Sequence, residues 1–190
     1  SNNTTDSNNG TSTVKANQWV TVNGKWQYND ASGNPIKNTW FYDRGYGQTY
    51  YLDAQGNMVT GWLYKDSQWY YLDNSGAKRT GWQLVGGEWY YLDSAGVMKT
   101  GWLKDLDGKW YYLKDNGALA TDWLYINGGW YCFSDPSGAV KTGWFRKDGN
   151  WYYSDSNGKM KTGWAWSSDG WCYLDDATGK RSEERRVGKE

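Results

Sequence analysis

Histidine is missing from the 190-residue chain, which removes the commonest general base and metal ligand. Net charge is missing too, because 21 Lys and Arg balance 21 Asp and Glu. A neutral chain is poorly suited to follow a nucleic acid or an anionic membrane as its main partner. No apolar run approaches the roughly 20 residues that span a bilayer, and no signal peptide is recognisable. The chain opens on Ser1 rather than Met, as expected of a fragment whose targeting signal lies upstream. Leu, Ile and Val are scarce, whereas Trp, Tyr and Phe number 16, 17 and 3. An ordinary core is built mostly from aliphatics, so this chain must bury its surface differently.

What is present is a period. Trp recurs at positions 19, 40, 62, 82, 102, 123, 144 and 164, in steps of 20 to 22 residues. Five of these close the triplet TGW (Trp62, Trp82, Trp102, Trp144, Trp164). A second tryptophan follows seven or eight residues later in every unit except that of Trp40, which has Thr49 before Tyr50 and Tyr51. Such regularity marks a repeat architecture.

Each unit reads as a β-hairpin. WYYL and its variants favour strands, and the connectors LYKDSQ, LKDLDGK and FRKDGN carry the Asp and Gly of hairpin turns. A second turn signal follows at N-S-G, S-A-G or A-Q-G. One hairpin alone is marginal in water, but stacked hairpins bury a continuous aromatic interface. The expected fold is all-β, a solenoid of about eight stacked β-hairpins with strands of about five residues.

The ends differ. Residues 1–17 are polar and read as a flexible linker, residues 18–180 as the repeat module, and residues 181–190 as a non-native tail. The last string, RSEERRVGKE, is similar to the conceptual translation of a common sequencing-adapter oligonucleotide.

Residues two apart on a strand share a face, so Trp69 and Tyr71 point one way and Tyr70 the other. A hairpin brings Trp62 near Trp69. The next unit can add Tyr91 and Met98, leaving a small space among three rings and a thioether. A quaternary ammonium is weakly hydrated and drawn to ring faces, choline being a well-known instance of that recognition. Ring-on-ring packing accounts for most tyrosines at the Tyr70-type position.

The stretch GWQLVGGEWYYLDSAGVMKTGW, residues 81–102, resembles the choline-binding repeat family of Gram-positive surface proteins and cell-wall hydrolases at every fixed position of its motif. The resemblance covers residues 18 to about 180. It implies choline held between consecutive hairpins by two tryptophans, an aromatic from the next repeat and often a methionine. Carried over by position, Trp62, Trp69, Tyr91 and Met98 form a full set. So do Trp123, Trp130, Tyr153 and Met160, and Trp19, Trp26, Tyr51 and Met58. Trp82, Trp89 and Tyr112 have Leu119 in place of Met. Trp144, Trp151 and Tyr173 have a methionine position that runs into the tail. Trp102 and Trp110 meet Cys132 where Tyr is expected, and Trp40 has Thr49 and Lys78 where Trp and Met belong. The second Tyr of WYY is chosen by face parity, and the first, Tyr90 for example, stays open.

The resemblance further implies a secreted module bound to the bacterial wall or surface through choline or phosphocholine on teichoic or lipoteichoic acid. It also admits a choline-dependent dimer. The alternative is an α-glucan-binding module of the glucosyltransferase type, toward which the GQTYYLD unit leans. Cys132 and Cys172 fall on opposite strand faces and read as Tyr replacements rather than a disulfide. Asp53, Asp73 and Asp93 give one carboxylate per turn, too thin for calcium, and read as turn formers. Without histidine or a nucleophile paired with a base, no catalytic residue, metal or cofactor is expected. A catalytic domain, if the parent has one, is expected upstream of residue 18.

Overall fold

The computed structural model describes residues 14–182. They form β1 (Gln18–Val22), β2 (Lys25–Asn29), β3 (Thr39–Asp43), β4 (Gln48–Leu52), β5 (Gly61–Lys65), β6 (Gln68–Leu72), β7 (Gly81–Val85) and β8 (Glu88–Leu92). There follow β9 (Gly101–Lys104), β10 (Trp110–Leu113), β11 (Asp122–Ile126), β12 (Gly129–Phe133), β13 (Gly143–Lys147), β14 (Asn150–Ser154), β15 (Gly163–Ser167) and β16 (Gly170–Leu174). Each odd strand pairs with the next even one as a two-stranded antiparallel sheet. The eight hairpins and the all-β solenoid class read from the sequence are therefore found. No helix among the described residues is long and apolar enough to cross a membrane.

The hairpins close where the turn residues ask them to. Asn23 and Gly24, Asn127 and Gly128, and Asp148 and Gly149 all have positive φ, as a type I′ turn requires at both central positions. The second turn is built by aspartate. Asp53 Oδ1 accepts the amides of Gln55 (2.9 Å) and Asn57 (2.8 Å), and Asp73 and Asp93 do the same in the following units. The repeated aspartates are thus turn formers.

After that turn, the chain lies between two hairpins and bonds to both. Met58 donates its amide to the Trp26 carbonyl of the preceding hairpin (2.8 Å), and Val59 donates to Tyr51 of its own (2.9 Å). The same rung recurs from Lys78 to Thr49, Met98 to Trp69, Leu119 to Trp89, Val140 to Trp110 and Met160 to Trp130, each at 2.8–2.9 Å. These rungs satisfy a strand edge that would otherwise be open.

The last strand residue of the WYYL motif supplies an aliphatic column: Leu52, Leu72, Leu92, Leu113 and Leu174 are fully buried. Phe133 and Ser154 occupy the same register position and are also buried. Tyr50, Tyr111 and Tyr152, two residues earlier on their strands and so on the same face, are buried with them.

The described residues divide into two compact units, one of residues 14–83 with Tyr91–Met98 and the other of Leu84–Tyr90 with residues 99–182. Within each, consecutive hairpins stack. Both module ends reach further than expected. Lys15 accepts from Asn29 Nδ2 (3.0 Å) and Asn17 donates to Asp30 (3.0 Å), so these linker residues are packed. At the other end, Arg181 donates its amide to Trp151 (2.8 Å) and Ser182 to Tyr173 (2.9 Å), extending the rungs past Lys180. The rest of the expected linker, residues 1–13, and of the expected tail, residues 183–190, lies outside the described residues.

Candidate functional site

Register decides which rings meet. Trp62 stands opposite Tyr71, and Trp69 opposite Tyr64, so both tryptophans and the second tyrosine share one face of their own hairpin. The tryptophan rings are 6.4 Å apart and nearly perpendicular at 87°, and Trp102 and Trp110 repeat this at 6.5 Å and 81°. Two walls at a right angle leave a corner that one ring pair cannot fill.

The opposite face carries the first tyrosine, and it is this face that meets the preceding hairpin. Tyr50 lies 4.9 Å from Trp19, Tyr70 5.0 Å from Trp40, Tyr131 4.9 Å from Trp102, and Tyr152 4.9 Å from Trp123. The second tyrosines expected in the cages pair within their own hairpins instead. Tyr51 faces Trp40 (5.0 Å), Tyr91 faces Trp82 (5.1 Å) and Tyr112 faces Trp102 (5.1 Å). Tyr153 faces Trp144 (5.0 Å) and Tyr173 faces Trp164 (5.2 Å). The cause is the pleat. Hairpins stacked in one direction meet front to back, so a tryptophan front must receive a residue one position away from the tryptophan face. That signal was available in the sequence, since period-two parity excludes the second tyrosine once stacking is assumed.

This one-residue correction redistributes the complete junctions. In the first unit, Trp19, Trp26, Tyr50 and Met58 line a cavity of about 490 Å³ that also touches Tyr46, Asp73 and Arg79. The rung from Met58 to Trp26 fixes the methionine there, and Gly76 of the next turn leaves its side chain room, because a Cβ at Gly76 would strike Met58. Trp62 and Trp69 have Met98 at the same rung. In the second unit, Trp123, Tyr152 and Met160 come together around buried Cys132 and Phe145, and Met160 is bonded to Trp130. The Trp102 and Trp110 junction, where Cys132 is expected, receives Tyr131 and has Val140 bonded to Trp110. Cys132 instead stands opposite Trp123. At the Trp144 and Trp151 junction, Arg181 takes the methionine rung, its guanidinium 5.7 Å and 5.4 Å from the two rings. The set Trp82, Trp89, Tyr112 and Leu119 is divided: Trp82 belongs to the first unit and the others to the second. Within the second, Leu119 is bonded to Trp89.

Charges of both signs border the Trp19 cavity, with Asp73 and Arg79 in its lining. Trp19 Nε1 donates to Asp43 Oδ2 at 2.7 Å, which orients the ring and adds negative charge behind it. Asp73 borders the cavity. Burial would raise its pKa, but the Ser75 hydroxyl, the Ala77 and Ser75 amides and Arg79 together hold it below the usual carboxylate value. The second tryptophans Trp26, Trp69, Trp110 and Trp130 remain 41–48% exposed, so they present apolar area that a ligand could cover. Cys132 and Cys172 are free and buried. Burial pushes the Cys132 thiol up to about 11, against weaker lowering by Lys147 and Lys141, so it is protonated and inert at neutral pH.

A stack of hairpins with aromatic corners between them defines a repeat-built binding module. Residues 44–78, 79–122 and 105–145 match the family model of the choline-binding repeat, and residues 142–160 match that of a cell wall binding repeat. The chain belongs to the choline-binding repeat family. It is similar to choline-binding protein F from Streptococcus pneumoniae, with 35% identity and a TM-score of 0.77, over 89% of this chain and 58% of that one. It is similar to the choline-binding domain of CbpL from the same species, with 34% identity and a TM-score of 0.62, over 88% and 87% of the two chains. CbpJ, also from Streptococcus pneumoniae, has 29% identity and a TM-score of 0.68, over 88% and 81%. The chain thus spans less than two thirds of choline-binding protein F. No curated protein matches it.

Proposed function

We propose that this chain is a non-catalytic anchoring module that holds choline in its inter-hairpin corners. The observation that carries the reading is the Trp19 junction. There, two tryptophans, Tyr50 and Met58 line one cavity, with the Asp43 carboxylate bonded to the ring of Trp19. A desolvated cation over such rings gains about 2 kcal/mol. The same composition recurs at Trp123, Trp130, Tyr152 and Met160. At the Trp102 and Trp110 junction it recurs with Tyr131 and with valine in place of methionine. A solved form of choline-binding protein F was obtained in the presence of a peptidoglycan analogue, which fits a role at the cell wall.

The natural ligand in this reading is choline or phosphocholine on teichoic or lipoteichoic acid. Several weak corners on one chain give high effective concentration for later contacts on a polymer. The protein should therefore be retained on a trialkylammonium resin and eluted by millimolar free choline. Retention on dextran that survives excess choline, without retention on the ammonium resin, would establish the α-glucan reading instead. Sedimentation with and without choline would test a choline-dependent dimer.

A further inference from the structure

The Trp40 junction keeps the rung of its neighbours but has a different filling. The rung is intact, Lys78 donating its amide to Thr49 at 2.8 Å. Tyr70 stands 5.0 Å from Trp40 and Tyr51 5.0 Å from it, as at a complete junction. In place of a thioether, Lys78 extends its ammonium over the Trp40 ring, 5.0 Å from the centroid. Thr49 stands where the second tryptophan would be, opposite Tyr42. A Cβ on Gly96 would fall 2.9 Å from Lys78 Cδ, so the glycine clears the path of that stem.

A primary ammonium is more strongly hydrated than a quaternary one and needs hydrogen bonds when it leaves water. Lys78 Nζ has one, to the Ala95 carbonyl at 3.0 Å. The cation is tethered, so a free ligand competes with it at a disadvantage in effective concentration. A second ammonium, Lys65, lies 5.9 Å from the Tyr51 ring, paired with Asp66 at 2.8 Å.

We propose that Lys78 is the resident cation of the Trp40 junction, which therefore excludes quaternary ammonium ligands and stays closed without one. The inference rests on the choline reading above. It makes the second and third hairpins a ligand-independent clamp within the first unit. Arg181 makes the same contact at the Trp144 and Trp151 rings, although it lies in a segment read as non-native. The rung position itself, then, delivers a long basic side chain to the corner.

The test is a choline chloride titration followed by ¹⁹F NMR of chain labelled with 5-fluorotryptophan, lines being assigned by single Trp→Phe variants. The Trp19 and Trp26 lines should move with choline while the Trp40 line stays fixed. In T49W/K78M, the Trp40 line should move and equilibrium dialysis should count one more choline per chain. Movement of the wild-type Trp40 line with the same midpoint as Trp19 would overturn the inference and leave the choline reading standing. A Trp40 line that stays fixed in a folded T49W/K78M chain would also overturn it. If no tryptophan line moves, the choline reading itself falls.

Discussion

The Trp19 and Trp40 junctions are consecutive in the first unit and share the same backbone rung. Each has a rung of 2.8 Å from the closing residue to the preceding hairpin, and each has a first tyrosine about 5 Å from the first tryptophan. They part in the connection that closes the hairpin, residues 23–24 at one and 44–47 at the other, and in side chains: Trp26 and Met58 at one, Thr49 and Lys78 at the other. Backbone hydrogen bonds thus set the spacing of the repeat, and ring and thioether chemistry is free to vary on it. The neutral composition of the chain hides this difference, because an internal cation changes one corner without changing the fold.

The largest expected effect breaks the cage at one junction only. Trp26→Ala removes a wall that is 48% exposed, so the fold should tolerate it. Choline at the Trp19 junction should weaken by about 2 kcal/mol, roughly thirtyfold. Trp40→Ala should leave choline affinity unchanged, because that junction takes none. Isothermal titration of both variants checks the pair, and equal losses would erase the distinction between the junctions.

A second pair separates the closing residues. Gly76 and Gly96 have φ of +89° and +87°, so alanine at either position is strained by about 2 kcal/mol. Beyond that shared cost, a Cβ at Gly76 meets Met58, which is held in the cage, whereas one at Gly96 meets the flexible stem of Lys78. Gly76→Ala should therefore lower the melting temperature more, and it alone should weaken choline binding at the Trp19 junction. Identical melting temperatures for the two variants would show that only backbone strain matters.

The fold was legible because its signals are local. Turn residues at fixed offsets, short β-favouring runs and a period of 20 to 22 residues each name a hairpin. The positions of the paired tryptophans on each hairpin were legible for the same reason. The tyrosine that meets the preceding hairpin's tryptophan was legible only once stacking was taken into account, because it depends on which faces of successive hairpins meet. Parity applied within one hairpin gives Tyr51, and parity applied across the stack gives Tyr50. Cys132 and Cys172 show the consequence. A one-residue shift moves Cys132 out of the Trp102 junction and places Cys172 opposite Ala165, at the position Tyr50 and Tyr152 hold in their hairpins. The rungs of Arg181 and Ser182 were invisible because backbone amides bond regardless of side-chain pattern.

A smaller effect concerns the column beneath the cages. Ser154 stands where Leu52, Leu72, Leu92, Leu113 and Leu174 stand in other hairpins, and its buried hydroxyl has no hydrogen-bond partner. An unsatisfied buried polar group costs about 1 kcal/mol or more. Ser154→Ala should raise stability by about that amount in chemical denaturation, without altering choline binding. A loss of stability would mean that the hydroxyl is satisfied in solution.

The smallest effect is a pH dependence at the border of the Trp19 cavity. Asp73 accepts from the Ser75 amide (2.9 Å), the Ser75 hydroxyl (2.7 Å) and the Ala77 amide (3.0 Å), with Arg79 at 3.6 Å. Burial alone would raise its pKa, but these bonds outweigh it, so the folded value lies below the unfolded one. A depressed carboxylate contributes its stability above the unfolded value of about 3.9 and loses it as pH falls through the lower, folded value. The side chain is 32% exposed, so solvent screening keeps the contribution modest. Asp73→Asn should lie below wild type in melting temperature at pH 7, and the gap should narrow as pH falls below about 4. Asp93 accepts the corresponding amides of Ala95 and Val97 (2.9 Å each) but has alanine where Asp73 has the Ser75 hydroxyl. Asp93→Asn should therefore show a smaller gap at pH 7. An Asp73→Asn gap that stays constant from pH 7 to pH 3 would show that the turn geometry, and not the charge, is what Asp73 supplies.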